Sequence, residues 1–264
     1  MCSVESHMKL ALRCAENVRG LTSPNPPVGA VIVKDGQVLS TGSTQPVGGR
    51  HAEIQAIDTA EVSVQGAILF VTLEPCCHYG RTSPCTDAII SAGIAEVHIA
   101  TNDPNPDVCS KGIKQLQGAG IKVYLGELKH EADQLIEAHT KFIIDKTPFI
   151  TAKFAMTLDG KIATNSNDSK WISGESSRKH VHQLRSYSDA VLVGINTLIE
   201  DDPQLTSRLQ NNYELKKQPL RVIVDSNLRI PLNAKIFSET GKNLIATLSE
   251  SAKFDQIQTM YDHT

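Results

Sequence analysis

The sequence predicts an α/β protein of two domains, the first of them a three-layer α/β/α sandwich on a mainly parallel sheet. Three observations carry this reading. The chain has 264 residues, more than one small core needs. Short apolar, β-branched runs alternate with segments of helical spacing from residue 7 to residue 125. Beyond a further helical segment that stops before Pro148, strand-like runs begin again.

The elements follow in order. Residues 7 to 19 place Met8, Leu12, Ala15 and Val18 on one helical face, and Gly20 ends it. Thr22 to Pro27 is too rich in proline to continue a helix and leads into Val28 to Val33, a buried strand. Asp35-Gly36 makes a hairpin turn to a partner strand at Val38 to Thr41. Gly48-Gly49-Arg50 breaks structure before His51, after which Ile54, Ala56, Ile57 and Ala60 give a helical face. The strand Ala67 to Leu73 leads into Glu74-Pro75-Cys76. Ser83 is then placed as an N-cap with Pro84 in the first helical position, which puts Cys85 in the first turn of a helix ending at Gly93. A strand at Val97 to Ala100, a helix at Lys111 to Ala119 and a strand at Ile121 to Leu125 continue the alternation. Lys129 to Lys146 reads as one connecting helix. In the second domain Phe149 to Ala155 is expected as the first strand, with further strands at Leu220 to Val224 and Asn243 to Thr247.

Composition narrows the function. An apolar fraction of 40% with 21% charged residues is ordinary for a globular chain. A net charge of −3 without a Lys/Arg block excludes the electrostatic footprint of a nucleic-acid binder and points to a small-molecule partner. No apolar run reaches membrane-spanning length, and Glu5 and His7 interrupt the stretch where a signal peptide would be apolar; the expected location is the cytoplasm. In a reducing compartment the six cysteines point to metal or catalysis rather than disulfides, and three of them lie within residues 76 to 85. Cys2, Cys14 and Cys109 have no such spacing and read as small packing residues.

His51-Ala52-Glu53, Pro75-Cys76 and, after eight intervening residues, Cys85 have the layout of a catalytic zinc site. Three protein ligands leave one tetrahedral position open, whereas a structural site closes all four. Cys85 in the first turn of a helix lies at the positive end of the dipole, which favours the metal-binding thiolate. Glu53 is near the metal without being needed as a ligand and can carry protons, the division of labour of zinc-dependent base and nucleotide deaminases. The competing reading is a structural zinc site closed by Cys77 or His78.

Pro24 to Ala30, His51 to Glu53, Glu74 to Cys85 and Asp103 to Pro106 resemble the bifunctional riboflavin-biosynthesis deaminase/reductase family. The eight-residue gap between Cys76 and Cys85, with its His-Tyr-Gly-Arg-Thr stretch, separates this family from deaminases with a Cys-x-x-Cys pair. Thr157 to Ala163, Ser169 to Gly174, Val181 to Arg185, Asp189-Ala190 and Asp201 to Leu205 extend the resemblance over almost the whole chain.

The resemblance implies a cytidine-deaminase-like domain over residues 1 to 146 and a dihydrofolate-reductase-like domain over 147 to 264. It implies zinc and NADPH as cofactors and two consecutive reactions. First, 2,5-diamino-6-ribosylamino-4(3H)-pyrimidinone 5′-phosphate loses its ring amine to water; then NADPH reduces the ribosyl group to ribityl. By resemblance His51, Cys76 and Cys85 bind zinc, Glu53 is catalytic, and Asn25, His78, Arg81, Asp103 and Asn105 hold the deaminase substrate. Ala155, Trp171, Thr197 and Asp201 would contact NADPH, and Ser169, Arg185, Leu205 and Arg208 the reductase substrate. Self-association is expected. The alternative is a zinc deaminase of another nucleobase or nucleotide with a non-functional second domain.

The chain departs from the family pattern in four places. Thr44 stands where a His is usual, which implies altered substrate affinity or turnover, and Ser110 and Asn167 each replace a usual Gly. Similar proteins continue past the position of Thr264 with further strands and a Glu-Gly-Gly segment that completes the NADPH site. The expectation is therefore a fragment or an incomplete second domain with an exposed sheet edge, and a reductase on weaker footing than the deaminase.

Overall fold

The computed structural model describes residues 3–79, 83–106, 109–166, 168–208 and 217–248. The chain divides into two compact units, Met1–Thr151 and Ala152–Thr264.

The first unit is built on a five-stranded sheet of β1 (Gly29–Lys34), β2 (Gln37–Ser43), β3 (Ile68–Leu73), β4 (Glu96–Thr101) and β5 (Lys122–Leu125), in the order β2-β1-β3-β4-β5. Each of β1, β3 and β4 is buried along nearly its whole length, which requires cover on both faces. Strand alternation divides the core accordingly. Ala30, Ile32, Leu69, Val71, Val97 and Ile99 pack with α2 (Ala52–Asp58), α3 (Cys85–Ser91) and α4 (Lys111–Gly118) through Ala52, Ala56, Ile89 and Leu116. Val31, Val33, Phe70 and Ala100 pack on the other face with Met8 and Ala11 of α1 (Val4–Asn17) and Ala132 of α5 (Lys129–Leu135). The three layers are as expected.

The sheet itself is evenly mixed rather than mainly parallel: β1 runs antiparallel to β2 and β3, while β3-β4-β5 are parallel. The cause is local. Asp35 and Gly36 both take left-handed backbone and close a two-residue hairpin between Lys34 and Gln37, which admits only an antiparallel partner. Only the two βαβ units, β3-α3-β4 and β4-α4-β5, give parallel pairs.

Two further expectations are corrected. The connecting helix is broken into α5 and α6 (Glu137–Asp145) at Ile136, whose buried side chain anchors the break at non-helical backbone angles. Phe149 to Ala155 is not a strand: no described strand pairs with it, and Phe149, Ile150 and Phe154 are exposed. A strand needs a neighbour to take its backbone hydrogen bonds, and an apolar pattern alone does not supply one.

The second unit has a parallel sheet, β6 (Ala190–Gly194), β7 (Leu220–Val224) and β8 (Asn243–Ala246), in sequential order with β7 central. With α8 (Ile195–Asp201) it packs a core of Ile195, Leu198, Leu205, Ile223, Leu228, Ile230, Ala234 and Ile236, to which α7 (Glu175–Tyr187), just before β6, adds no residue. No helix among the described residues is long and apolar enough to cross a membrane.

Candidate metal centre and substrate sites

The metal cluster is assembled from three separate segments. α2 lies on β2 with almost no separation: the Ser40 hydroxyl donates to the Ala56 carbonyl at 2.6 Å, and the Gln55 side-chain oxygen accepts from the Ser43 N–H at 2.7 Å. This seats His51, the N-cap of α2, and Glu53 in its first turn. Cys76 follows β3 through Pro75. The expected cap at Ser83 is displaced by one residue, because Pro84 takes extended backbone (φ −56, ψ 136) and itself occupies the cap, leaving Cys85 as the first helical residue of α3.

That shift has a chemical result. The first N–H groups of a helix have no partner within it, and the Cys85 N–H donates to the Cys76 sulfur at 3.4 Å. The Thr86 N–H and hydroxyl both donate to the Cys76 carbonyl, at 3.2 and 3.3 Å. His51 Nδ1 lies 3.2 Å from Cys85 Sγ and 3.6 Å from Cys76 Sγ. Of the two thiols, Cys76 is held ionised, well below the usual thiol range, by hydrogen bonds from the Cys85 side chain, His51 and the Cys85 N–H. Cys85, donating to it, keeps its proton more tightly than a free thiol. The hydrogen bond to Cys76 also raises the His51 pKa.

His51, Cys76 and Cys85 present one nitrogen and two sulfurs within 4.8 Å of one another. Metal–ligand distances of about 2.0–2.1 Å to nitrogen and 2.3 Å to sulfur imply tetrahedral edges of roughly 3.6 to 3.8 Å, close to the spacings present, so the donor set fits zinc. Among the described residues the cluster has these three members; Cys77 is half-buried outside it and His78 is exposed. Glu53 is buried beside the cluster, in contact with Cys85, and burial together with the Cys76 charge pushes its carboxyl up to about 7.

Of the deaminase substrate candidates, Asn25 lies on the loop before β1, His78 two residues beyond Cys76, and Asp103 and Asn105 on the loop after β4. Asn25 closes a turn in which its N–H donates to the Thr22 carbonyl at 2.9 Å. Asp103 follows β4 and accepts from the Asn105 N–H at 2.8 Å. Burial raises the pKa of its carboxyl, against the Asn105 N–H and the neighbouring His139, which lower it. Arg81 lies outside the described residues, as does Asn167. Thr44 is buried, and its hydroxyl accepts from the Val28 N–H at 3.1 Å, so it serves the turn into β1. Sequence reasoning missed two contributors. His139, hydrogen-bonded to the Pro24 carbonyl and facing Asp103, looked like an ordinary member of a helical face. The buried Glu74 had only its place in Glu74-Pro75-Cys76 to mark it.

In the second unit Arg185 and Arg208 converge. The Arg185 guanidinium donates to the Thr206 carbonyl at 3.3 Å and Arg208 to the Gln204 side chain at 2.6 Å, and neither forms an ion pair among the described residues. Burial and the charge of Arg208 lower the Arg185 pKa. His182 Nδ1, also unforeseen, lies between them, 3.2 Å from the Thr206 carbonyl and 3.3 Å from the Arg208 backbone nitrogen. Two cations held together this way suit an anionic group. Leu205 takes left-handed backbone and buries its side chain in the core, leaving only its backbone for a ligand. Thr197 is in the first turn of α8, directly after β6, at the carboxyl end of a parallel sheet where nucleotides bind in such folds. Asp201 ends the same helix. Ser169, a substrate candidate, is half-buried; of the NADPH candidates the exposed Trp171 ring lies 4.5 Å from the Arg178 guanidinium carbon and Ala155 is half-buried, and no described hydrogen bond or ion pair joins Ala155, Trp171, Thr197 and Asp201 to one another.

Comparison with known proteins agrees with both halves. Residues 1–101 match the cytidine and deoxycytidylate deaminase zinc-binding region, and residues 148–260 match the RibD C-terminal domain. The riboflavin biosynthesis protein RibD of Aquifex aeolicus is 46% identical over 96% of this chain and 71% of its own length. That of Escherichia coli is 39% identical over 94% of this chain and 70% of its own. A solved Thermotoga maritima diaminohydroxyphosphoribosylaminopyrimidine deaminase/5-amino-6-(5-phosphoribosylamino)uracil reductase superposes with a TM-score of 0.86 at 43% identity, covering 94% of this chain and 70% of that one. Acinetobacter baumannii RibD superposes with a TM-score of 0.83 at 40% identity, covering 98% and 71%. A cytidine-deaminase-like domain is thus followed by a dihydrofolate-reductase-like one, with zinc and NADPH as their cofactors. The chain belongs to the RibD family of bifunctional deaminase/reductases of riboflavin biosynthesis.

Proposed function

We propose that His51, Cys76 and Cys85 hold the zinc ion and that Glu53 moves the protons in hydrolytic deamination of the diaminopyrimidinone phosphate. The observation that carries this reading is a buried carboxyl in contact with a cluster of three metal-binding donors. When bound, zinc supplies the Lewis-acid charge that makes water a nucleophile at neutral pH. Glu53 takes the first proton of the attacking water and gives it to the ring nitrogen, then takes the second from the added hydroxyl and gives it to the amine as the carbon–nitrogen bond breaks; water and substrate become ring carbonyl and ammonia. A carboxyl with a pKa near the working pH gives and takes protons with similar ease. Asn25, His78, Asp103 and Asn105 hold the substrate beside it, with Arg81 on its phosphate.

In the second reaction NADPH supplies the hydride. Thr197, Asp201, Ala155 and Trp171 bind the cofactor; Arg185, Arg208, Ser169 and the Leu205 backbone bind the substrate. Residues 1–146 carry the deaminase and 147–264 the reductase. The location proposed is the cytoplasm, where Cys14, Cys76, Cys77, Cys85 and Cys109, all free of disulfides, stay reduced. Self-association, and no nucleic-acid or membrane partner, is proposed with it.

The test is Glu53→Gln. A folded variant with one zinc per chain and ammonia release lowered by about 10²- to 10⁴-fold is expected. Undiminished ammonia release would sink the assignment.

A further inference from the structure

Glu74 is a buried carboxylate one residue from Pro75-Cys76, outside the metal cluster and outside every role assigned so far. Its acceptors are taken by backbone donors from the next crossover. Oε2 accepts from the Ser110 N–H at 3.0 Å and the Asp103 N–H at 3.4 Å, and Oε1 from the Ile113 N–H at 3.3 Å. The Glu74 N–H donates in turn to the Thr101 carbonyl at 3.0 Å.

Two features show what these bonds hold. Ser110 is the N-cap residue of α4, yet its side chain makes no capping bond. The carboxylate of Glu74 caps that helix from a distance, reaching the third N–H of its first turn at the positive end of the dipole. The helix start also approaches the Glu74-Pro75 segment closely: a Cβ on Gly112 would lie 2.2 Å from the Pro75 carbonyl oxygen.

We propose that Glu74 is a positioning residue of the deaminase, holding the backbone at Asp103 and at the start of α4, and with it Asp103 and Asn105, against the segment that carries Cys76. The proposal rests on the reading that Asp103 and Asn105 hold the deaminase substrate. One carboxylate ties the donors of the substrate loop to the metal-ligand segment, so substrate-holding and metal-holding groups keep a fixed separation. An isosteric amide cannot replace it. Three N–H groups aim at two acceptor oxygens, and Glu74→Gln turns one oxygen into an NH₂ that faces a donor and leaves it buried without a partner.

The experiment measures ammonia release from the diaminopyrimidinone phosphate, with zinc content, for the full chain carrying Glu74→Gln, Gly112→Ala or Asp103→Asn. Gly112→Ala displaces the start of α4 by pushing on the Pro75 carbonyl, 2.2 Å away, and on the Glu74 side chain, 3.3 Å away at Oε1, without changing the chemistry of the carboxylate. For Glu74→Gln the expected result is a KM raised roughly tenfold, the cost of one misplaced hydrogen bond, with kcat within about threefold because uniform binding alone is weakened. Zinc stays at one per chain, and Gly112→Ala shifts KM in the same direction. A raised KM in Asp103→Asn together with unchanged KM in Glu74→Gln and Gly112→Ala overturns the proposal and leaves the substrate reading standing. Unchanged KM in Asp103→Asn removes the substrate reading, and the proposal with it. Loss of zinc or of folding in both Glu74→Gln and Gly112→Ala assigns Glu74 to stability alone and also overturns it.

Discussion

Gly42 of β2 and Ala52 of α2 stand so close that a Cβ on Gly42 would lie 2.1 Å from the Ala52 carbonyl oxygen and 2.6 Å from the Ala56 nitrogen. Helix and strand therefore meet backbone to backbone, and the residues at the helix start, His51 and Glu53, take their depth from that contact. Gly42→Ala must push α2 off the sheet. Overpacking of this kind costs about 1–3 kcal/mol, and here the displaced element carries a metal ligand. Lower thermal stability and less than one zinc per chain, read by calorimetry and metal analysis, are expected together.

Ser110 takes left-handed backbone with φ 63, which explains why a glycine is usual at this place. An L-residue there is strained by roughly 1–2 kcal/mol, and glycine gives back part of the gain in unfolded-chain entropy. Ser110→Gly should stabilise the first unit by about 0.5–1 kcal/mol. It leaves the N–H to Glu74 in place, so KM for ammonia release should not change. Denaturant unfolding and steady-state kinetics check the two halves.

Removal of the metal should act on one reaction. Cys76→Ser or Cys85→Ala deletes a sulfur from a three-donor set, and zinc binding should fall from one per chain to near none, with ammonia release lost. NADPH-dependent turnover of separately supplied deaminated substrate should persist, since its residues lie in the other unit. Parallel loss of both activities would contradict the assignment of the cluster to the deaminase.

His139 should make the first unit acid-sensitive. Burial lowers its pKa below 6.5, opposed by the Asp103 charge and the hydrogen bond to Pro24. Above 6.5 the imidazole is neutral in both folded and unfolded chains and its contribution is complete. As pH falls through 6.5 toward the lowered folded value, the unfolded chain takes up the proton first and stability is lost. Asp103, whose pKa is raised, works in the opposite sense at lower pH, where the folded carboxyl protonates first. In His139→Gln the loss of α6 amide protection between about pH 7 and 5 should flatten, as hydrogen exchange would report.

Arg185 and Arg208 should separate the reactions from the other side. Arg185→Ala removes a charged partner of the anionic substrate, worth about 10- to 100-fold in KM for NADPH oxidation, while ammonia release stays unchanged. A matching rise in the deaminase KM would place Arg185 elsewhere.

Much of the candidate metal centre was legible in the chain because its proposed ligands sit at places that local chemistry marks: a break before His51, a proline after β3, a helix start at Cys85. Strand and helix order followed from periodicity for the same reason. The direction of β1 against β3, the break at Ile136 and the failure of Phe149 to Ala155 to form a strand depend on which partner each segment meets, and no local pattern encodes that.

The sequence by itself determined the family, the donor set of His51, Cys76 and Cys85, and the identity of Glu53 as the nearby acid, since residue type and spacing suffice for each. Only the tertiary structure decided the burial of Glu53 against the cluster and the hydrogen bonds that His51 and the Cys85 N–H direct at Cys76. It also decided the enlistment of Glu74 and His139 around Asp103 and the meeting of Arg185 with Arg208. Each of these depends on burial or on a charge brought from a distant segment. Desolvation and Coulomb energy are functions of distance in space, which the order of residues along a chain does not contain.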